Sequence, residues 1–294
     1  MLRRVATALC ILLALASCED PAAPVERINS GPLVVGVLPD QSREQLIGQY
    51  QPLIEYLNQV TGLELALIIH SSYAELLESF IQGELDLAWF GGLTFVEASA
   101  SVGAVPLVMR DTDLRFTSYY IVAAAAQGET VADFAGKRFS FGPRLSTSGH
   151  LMPRYFLLQD GISPESFFAS VEYSLAHDKS AAKVSSGVVD IAVANSVIID
   201  SMFADGRLSA DAVRILQTTP PFPDYVWATS TAVAGPVRET LRDAFLALDR
   251  TQESHAAILA RLRASGFLPA HDRDFDEVRA AAEALEPGRM KTSR

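Results

Sequence analysis

Short apolar runs rich in β-branched residues alternate with amphipathic windows along the chain after residue 30. Leu33 to Leu38 and Leu65 to Ile69 have the composition of buried strands, and the window Pro52 to Val60 between them has helical spacing. Ser72 to Glu75 has the pattern of a capping box, in which a serine and a glutamate satisfy free amides at a helix start. This alternation predicts an α/β fold with largely parallel sheets.

The alternation restarts once along the chain, and three consecutive amphipathic helices follow it at the C-terminal end. Further strands are predicted at Leu85 to Phe90, Val105 to Met109, Thr117 to Ala126, Arg138 to Phe141, Val171 to Ser174, Val189 to Ala194 and Val213 to Thr218, after which Pro220 to Pro223 and Trp227 to Val233 are predicted to return the chain to the first lobe. Further helices are predicted at Leu93 to Ala100, from Ser148, and at Asp178 to Ser186, Val197 to Phe203, Pro236 to Thr251, Glu253 to Ala264 and Asp274 to Ala284. We assign residues 31–121 and 219–294 to a first lobe and residues 122–218 to a second. Two crossings between lobes predict a two-stranded hinge.

The segment before this body has the features of an export signal. Arg3 and Arg4 precede an uncharged run, Val5 to Ala16, that is shorter than the roughly 20 residues needed to span a bilayer. Leu15 to Cys18 resembles a bacterial lipobox, so we interpret residues 1–17 as a lipoprotein signal peptide and Cys18 as the lipidated residue. An ordinary cleavage site near Ala16 is the alternative. Residues 18–30 are predicted to be a tether, which implies a periplasmic protein anchored to a membrane by lipid.

Composition excludes several kinds of function. Both cysteines, Cys10 and Cys18, lie in the N-terminal segment, so the mature body is predicted to have neither a disulfide nor a thiolate metal site. The formal charge of -11 and the lack of a Lys/Arg run argue against a nucleic-acid partner. The five histidines show no HExxH spacing, and the sequence has no Walker-type loop or GxSxG elbow. We therefore expect no cofactor, no metal and no catalysis, with a phosphoryl-processing hydrolase as the enzymatic alternative.

Binding chemistry is concentrated between Phe139 and His150. A strand runs into a turn, after which Ser146, Thr147 and Ser148 open a helix. Unpaired backbone N–H groups and three hydroxyls then surround one point, which favours an oxyanion. Gly149 is predicted to let a ligand approach the backbone closely. The alternative is that one of the serines is only an N-cap.

This window and others resemble, in order and spacing, the periplasmic phosphonate-, phosphite- and phosphate-binding proteins of ABC transporters, over nearly the whole mature chain. The matching segments are Tyr50 to Leu57, Tyr73 to Glu75, Gly83 to Gly91, Phe116 to Ser118, Ser146 to Gly149, His177, Gly187 to Asp190 and Pro223-Asp224. The resemblance implies a two-lobed type-2 periplasmic binding fold, or Venus flytrap, that captures a small oxyanion for an ABC permease. A sensor histidine kinase is the alternative partner, and a monomer is expected.

The resemblance also implies roles for individual residues. Tyr73 matches a tyrosine whose hydroxyl reaches the ligand, while His177 and Asp224 match ligand contacts. An ionised aspartate only accepts hydrogen bonds, so Asp224 favours a ligand that carries a P–OH proton. The predicted ligand-binding residues are Tyr73, Trp89, Phe90, Gly91, Phe116, Ser146, Thr147, Ser148, His177, Asn195 and Asp224. We expect the anion to bind first to the Ser146 to Ser148 face. When the lobes close, Tyr73 contacts it from the other lobe.

Two departures from the family pattern bear on the ligand. Phe116 stands where relatives have tyrosine, which makes the pocket less polar. Around Asn195, where members that take amino-phosphonates place a carboxylate, the chain reads Asn195-Ser196-Val197. A ligand ammonium would lack a partner there, and a buried unpaired charge is costly. We therefore expect phosphite, phosphate, methylphosphonate or arsenate.

Overall fold

The computed structural model describes residues 31–288, so the predicted signal peptide, Cys18 and the tether lie outside the described residues. The strands are β1 Leu33–Val37, β2 Leu65–Ile69, β3 Leu87–Phe90, β4 Val105–Arg110, β5 Ser118–Ala123, β6 Arg138–Phe141, β7 Ser170–Tyr173, β8 Ile191–Asn195, β9 Val213–Thr218, β10 Val226–Thr229 and β11 Phe267–Pro269. The helices are α1 Arg43–Thr61, α2 Tyr73–Ile81, α3 Gly92–Val102, α4 Met152–Gln159, α5 Pro164–Phe167, α6 His177–Ser185, α7 Ser196–Ala204, α8 Gly235–Leu246, α9 Glu253–Leu262 and α10 Asp276–Leu285.

The strands form two sheets, one in each lobe of an α/β protein. The first has the order β11-β4-β10-β3-β1-β2 and the second the order β7-β6-β8-β5-β9. Parallel pairs join β1 to β2 and β3, and β6 to β7 and β8. However, β5 and β10 run antiparallel to both of their neighbours, and β11 runs antiparallel to β4. The prediction of largely parallel sheets therefore holds for the direction of most strands and is wrong for β5, β10 and β11; β5 and β10 enter their sheets from a lobe crossing and not after a helical crossover.

Two crossing segments join the lobes side by side. Phe116 and Phe222 form an antiparallel bridge, in which each backbone N–H donates to the other residue's carbonyl, at 2.7 and 2.9 Å. Strand β5 lies entirely in the second sheet, so the first crossing precedes Ser118 and lies before the lobe boundary that we placed after residue 121. The second crossing follows Thr218, the last residue of β9.

Local sequence explains most element ends. Helix α1 begins at Arg43, well before the predicted start at Pro52, because the Ser42 side chain accepts a hydrogen bond from Gln45 N and caps the helix there. Pro52 lies inside α1, and the helix continues through it. The capping box before α2 is present: the Ser72 hydroxyl accepts from Glu75 N at 3.1 Å. Strand β11 was not predicted, since it has only three residues.

Each lobe has its own apolar core. The first-lobe core surrounds Trp89, Trp227 and Phe245. In the second lobe, successive residues of β5 point to opposite faces, so Tyr120 packs in one cluster and Ile121 in another. Helix α10 packs against both α3 and α4, and with it Leu151 and Met152 join the first-lobe core. Within residues 31–288, no helix has the length and apolar character needed to cross a membrane.

Candidate functional site

Helix N-termini from both lobes meet in the cleft beside the hinge. The first lobe contributes the starts of α2 and α3, and the second lobe contributes the segment before α4 and the starts of α6 and α7. Free N–H groups at a helix N-terminus favour a negatively charged ligand. The predicted hydroxyl cluster lies among these ends.

The three hydroxyls of the cluster have three different environments. Ser146 caps a π-helical turn, Thr147–Leu151, and its Oγ accepts from Gly149 N at 2.9 Å. Thr147 Oγ1 accepts from Leu93 N of the other lobe at 2.9 Å. Ser148 Oγ is buried and has no hydrogen-bond partner among the described residues. Capping thus accounts for Ser146 alone, and Ser148 is the hydroxyl with free hydrogen-bonding capacity.

Protein atoms fill the space next to Gly149. A Cβ there would lie 2.8 Å from His177 Cε1 and 3.0 Å from Gly142 Cα, both shorter than side chains tolerate. The prediction that Gly149 admits the ligand is therefore wrong. Glycine is needed at this position because the two strand-to-helix turns of the second lobe pack against each other.

Asp224 lies in the crossing segment beneath α3. Its Oδ1 accepts from Gly92 N at 2.9 Å, and its Oδ2 is buried with no partner in the described chain. Burial raises the pKa of Asp224 to about 7, against smaller lowering effects from the Gly92 amide and the Thr147 and Ser148 hydroxyls. A Cβ on Gly91 would lie 3.3 Å from both Asp224 Oδ1 and Thr147 Oγ1. Asp224 therefore shares its surroundings with the hydroxyl cluster of the opposite lobe.

Tyr73 is the first residue of α2 and is buried, with its hydroxyl unpaired among the described residues. Burial raises the pKa of Tyr73 well above its ordinary value, and the nearby Asp40 and Asp224 carboxylates raise it further. The phenol therefore stays protonated and remains a hydrogen-bond donor.

His177 is the first residue of α6 and is fully buried. Its Nδ1 accepts from Asn195 N at 3.1 Å, so the ring proton lies on Nε2, which is 3.4 Å from Ser146 Oγ. Burial lowers the pKa of His177 to about 3. The residue is a neutral donor aimed at the hydroxyl cluster.

The other predicted site residues are engaged in different ways. Asn195 caps α7: its Oδ1 accepts from Ile198 N, and its Nδ2 donates to Tyr225 OH at 2.8 Å. Trp89 stacks on Tyr225, with ring centroids 5.2 Å apart, and its Nε1 has no partner in the described chain. Phe116 packs edge-on against Tyr225, whereas Phe90 packs edge-on against Phe80 in the first-lobe core.

Sequence reasoning missed four buried polar residues around this site. Asp40 Oδ2 accepts from Tyr225 OH at 3.2 Å, and its Oδ1 is unpaired in the described chain. Burial raises the pKa of Asp40 to about 6. Arg110 pairs with Asp113 at 2.6 Å and lies over the Trp89 and Tyr225 rings, while the Asp113 carbonyl accepts from Asp224 N at 2.9 Å. The ion pair thus supports the stacked Trp89 and Tyr225 rings and the position of Asp224.

Unpaired buried polar atoms gather at this place: Tyr73 OH, Ser148 Oγ, Asp40 Oδ1, Asp224 Oδ2 and Trp89 Nε1. Each such atom costs roughly 1–3 kcal/mol unless a partner reaches it. Hydroxyl and N–H donors face the unpaired carboxylate oxygen of Asp224, and Asp40 Oδ1 is a second unpaired acceptor. This set fits a small ligand that has several acceptor oxygens and one proton to donate.

A cavity of about 760 Å³ adjoins this site without containing the hydroxyl cluster. Pro39, Gln41 and Ala176, the chain neighbours of Asp40 and His177, contribute to its walls. Among residues 31–288, no group of three or more His, Asp or Glu side chains is arranged to hold a metal ion.

Comparison with known proteins places the chain among transporter components. The sequence profile described as "ABC transporter, phosphonate, periplasmic substrate-binding protein" matches residues 35–275. A probable ABC transporter phosphite-binding protein, PhnD1 from Prochlorococcus marinus (strain MIT 9301), is 28% identical over 87% of this chain and 91% of its own. A phosphate-import protein from Mycolicibacterium smegmatis is 26% identical over 98% of both chains. The crystal structure of Prochlorococcus PhnD1 with methylphosphonate has a TM-score of 0.81 at 27% identity, over 86% of this chain and 97% of that one.

Proposed function

Because the chain belongs to the periplasmic substrate-binding proteins of phosphonate ABC transporters, we propose that it captures a small phosphate-like oxyanion in the cleft between its lobes. Phosphite, phosphate, methylphosphonate and arsenate are the candidate ligands. One observation carries the proposal. Two buried donors without a partner, the Ser148 and Tyr73 hydroxyls, lie near a buried acceptor without a partner, Asp224 Oδ2.

The donor set holds the negative charge of the ligand without a lysine or arginine. Ser148, Tyr73 and the Nε2–H of His177 donate to unprotonated oxygens, and the amides at the helix starts add their dipoles. Thr147 already accepts from the first lobe, so its part is to hold the closed lobes together. Binding energy from both faces then favours the closed state.

Asp224 adds a requirement for one proton. An ionised Asp224 accepts from a ligand P–OH, whereas a protonated Asp224 donates to a P–O⁻, so the pair holds one shared proton in either case. A pKa of about 7 lets this proton reside on either partner near neutral pH. The site therefore favours an anion that still carries, or can share, one proton.

The relatives support this ligand class. The names of the Prochlorococcus and Mycolicibacterium proteins refer to phosphite and phosphate, and the solved complex contains methylphosphonate. All three ligands have a tetrahedral phosphorus with at least three oxygens. The same donors would also bind arsenate, which differs from phosphate mainly in size.

Titration calorimetry with phosphite, phosphate, methylphosphonate and arsenate tests the ligand class directly. We expect saturable binding of at least one of them with one site per chain. Sulfate is the matched control, since it has the same shape but no proton to share near neutral pH. If none of the four anions binds, or if sulfate binds as tightly, the proposed ligand class is wrong.

The remaining features of the proposal concern the setting of the site. Because of the family, we propose that the protein delivers its ligand to an ABC permease and not to a sensor kinase. We also propose that it is a monomer and that it releases the ligand unchanged.

We also propose that Cys18 carries a lipid anchor, and mass spectrometry of the mature N-terminus tests this. Cys18→Ser should move the protein from the membrane fraction to the soluble fraction. Turnover of a phosphate ester by the purified protein would contradict the non-catalytic role.

A further inference from the structure

Four buried residues close a ring of hydrogen bonds beside the hydroxyl cluster. His177 N donates to the Asp40 carbonyl at 3.1 Å, and Asn195 N donates to His177 Nδ1 at 3.1 Å. Asn195 Nδ2 donates to Tyr225 OH at 2.8 Å, and Tyr225 OH donates to Asp40 Oδ2 at 3.2 Å. All four residues are at most 5% exposed, so water does not compete for these bonds.

Two bonds of the ring lie within lobes and two cross between them. Asp40 and Tyr225 flank β1 and β10 of the first sheet, while His177 and Asn195 begin α6 and end β8 of the second lobe. The contacts from His177 N to Asp40 and from Asn195 Nδ2 to Tyr225 therefore form only when the lobes meet. The bond that fixes His177 Nδ1 is internal to the second lobe and does not depend on closure.

The chemistry of the groups fixes the direction of every bond. A backbone N–H only donates, so His177 Nδ1 accepts and its proton lies on Nε2. Asn195 Oδ1 already accepts from Ile198 N, which leaves Nδ2 as the group that donates to Tyr225. Tyr225 OH, which accepts from Asn195, then donates a hydrogen bond to Asp40 Oδ2. One consistent arrangement satisfies all four links.

The ring is also coupled to the hinge. Tyr225 directly follows Asp224, stacks on Trp89 and packs edge-on against Phe116, a partner in the hinge bridge. A rotation at the hinge therefore moves the Tyr225 hydroxyl relative to Asn195.

We propose that Asp40, Asn195 and Tyr225 are positioning residues, which on closure complete an interlobe ring that holds His177 with its Nε2–H toward Ser146 and the bound anion. The ring needs no direct contact between these three residues and the ligand. Its effect on affinity rests on the proposed function, whereas the protonated nitrogen of His177 is set in the second lobe whether or not an anion binds.

The kinetic test compares Tyr225→Phe with Tyr119→Phe. Tyr225→Phe keeps the ring that stacks on Trp89 but leaves Asn195 Nδ2 and Asp40 Oδ2 without their shared partner. Tyr119→Phe removes the hydroxyl that donates to Asp200 on the second-lobe surface. In stopped-flow binding of phosphate, phosphite or methylphosphonate, Tyr225→Phe should raise the dissociation rate about tenfold with little change in association. If Tyr225→Phe has the same dissociation rate as Tyr119→Phe, the proposed role of the hydrogen-bond ring is wrong.

Rescue by the conservative variant separates this role from a general effect of charge or folding. Asp40→Asn keeps an oxygen that accepts from the Tyr225 hydroxyl, whereas Asp40→Ala does not. We expect Asp40→Asn to retain dissociation kinetics near those of the wild type and Asp40→Ala to resemble Tyr225→Phe. Equal losses in both Asp40 variants would show that the charge, and not the acceptor, matters. Circular dichroism confirms that each variant is folded.

NMR of the ligand-free protein with ¹⁵N-labelled histidine tests the second-lobe link of the ring, from Asn195 N to His177 Nδ1, independently of any ligand. The two nitrogens of His177 should show the pattern of a neutral ring protonated at Nε2, and His177→Gln assigns the signals. Protonation at Nδ1, or at both nitrogens near neutral pH, would rule out this link and with it the proposed orientation of His177. If no candidate anion binds, the proposed ligand class fails while this result still decides the state of His177.

Discussion

The second-lobe face of the cleft presents hydroxyls and N–H groups at helix starts, whereas the first-lobe face presents two buried carboxylates, Asp40 and Asp224. Ser148 and His177 on the second-lobe face are neutral donors. Arg110, a cation beneath the first-lobe face, is already ion-paired with Asp113. In the proposed site, dipoles on the second-lobe face meet the charge of an anion, while Asp224 on the first-lobe face selects for a proton.

This difference has an energetic side. A buried hydroxyl without a partner costs less than a buried carboxylate, and burial disfavours the ionised form of the carboxyl group, which raises the pKa values of Asp40 and Asp224. The donor face can therefore be altered at little cost to folding. The acidic face should be a site where the protein loses stability for the sake of selectivity.

The largest expected effect comes from neutralising the acidic face. The pKa of Asp224 is raised to about 7 in the folded protein, so stability falls as pH rises from about 4 to about 7 and stays lower above that range. Asp224→Asn should raise the free energy of unfolding at pH 8 by roughly 2–4 kcal/mol and have little effect at pH 4. Urea denaturation at both pH values measures this, with the exposed Asp211→Asn as control. A destabilised variant at pH 8 would contradict the comparison.

Breaking the donor face should cost binding and leave stability nearly unchanged. Ser148→Ala removes a hydroxyl that makes no bond within the described chain, so affinity for the ligand should fall about a hundredfold. Ser146→Ala and Thr147→Ala should weaken binding more than tenfold, but they also lose a cap and an interlobe bond. Calorimetry and thermal melts check both parts, with the exposed Ser185→Ala as control. Unchanged affinity in Ser148→Ala would remove that hydroxyl from the site.

The pH dependence of affinity sharpens the comparison further. Because Asp224 and the ligand share one proton, wild-type affinity for phosphate should fall up to about tenfold between pH 7 and pH 8. Asp224→Asn supplies an amide donor in place of the acceptor, so its affinity should hold or rise over the same interval. Calorimetry in buffers of different ionisation enthalpy also counts the protons taken up. Parallel pH profiles for the two proteins would count against a shared proton.

The smallest effect concerns the neutral histidine of the donor face. Burial lowers the pKa of His177 to about 3, so below pH 6.5 the unfolded chain binds a proton that the folded chain refuses. Stability that is present above pH 6.5 is therefore lost as the pH falls toward 3. His177→Gln should remove about 1 kcal/mol of this loss between pH 6.5 and pH 5.5. The matched control is His271→Gln on the surface, and an equal slope in His177→Gln and the wild type would contradict the assignment.

Local patterns predicted the alternation of strands and helices, the second lobe and the helix start at Ser146 because these depend on spacing along the chain. The antiparallel course of β5 and β10 depends on where the chain enters a sheet, which periodicity does not record. Likewise, Asp40 follows Pro39 in what reads as a turn, and its partner Tyr225 lies 185 residues away. The roles of Ser148, Tyr73 and Asp224 as ligand contacts stay predictions until binding is measured.

Helix α10 packs against α3 and α4 together, and Leu151 and Met152 of the second lobe are buried in the first-lobe core. Part of the closed state is thus held by apolar contacts that no anion touches. We expect these contacts to set how often the empty protein resembles the loaded one. For an importer this is a question of fidelity, since a permease that docks an empty closed protein would hydrolyse ATP without cargo. A smaller side chain at Met152 should then lower the affinity for the ligand. It should also make the empty protein resemble the loaded protein less often.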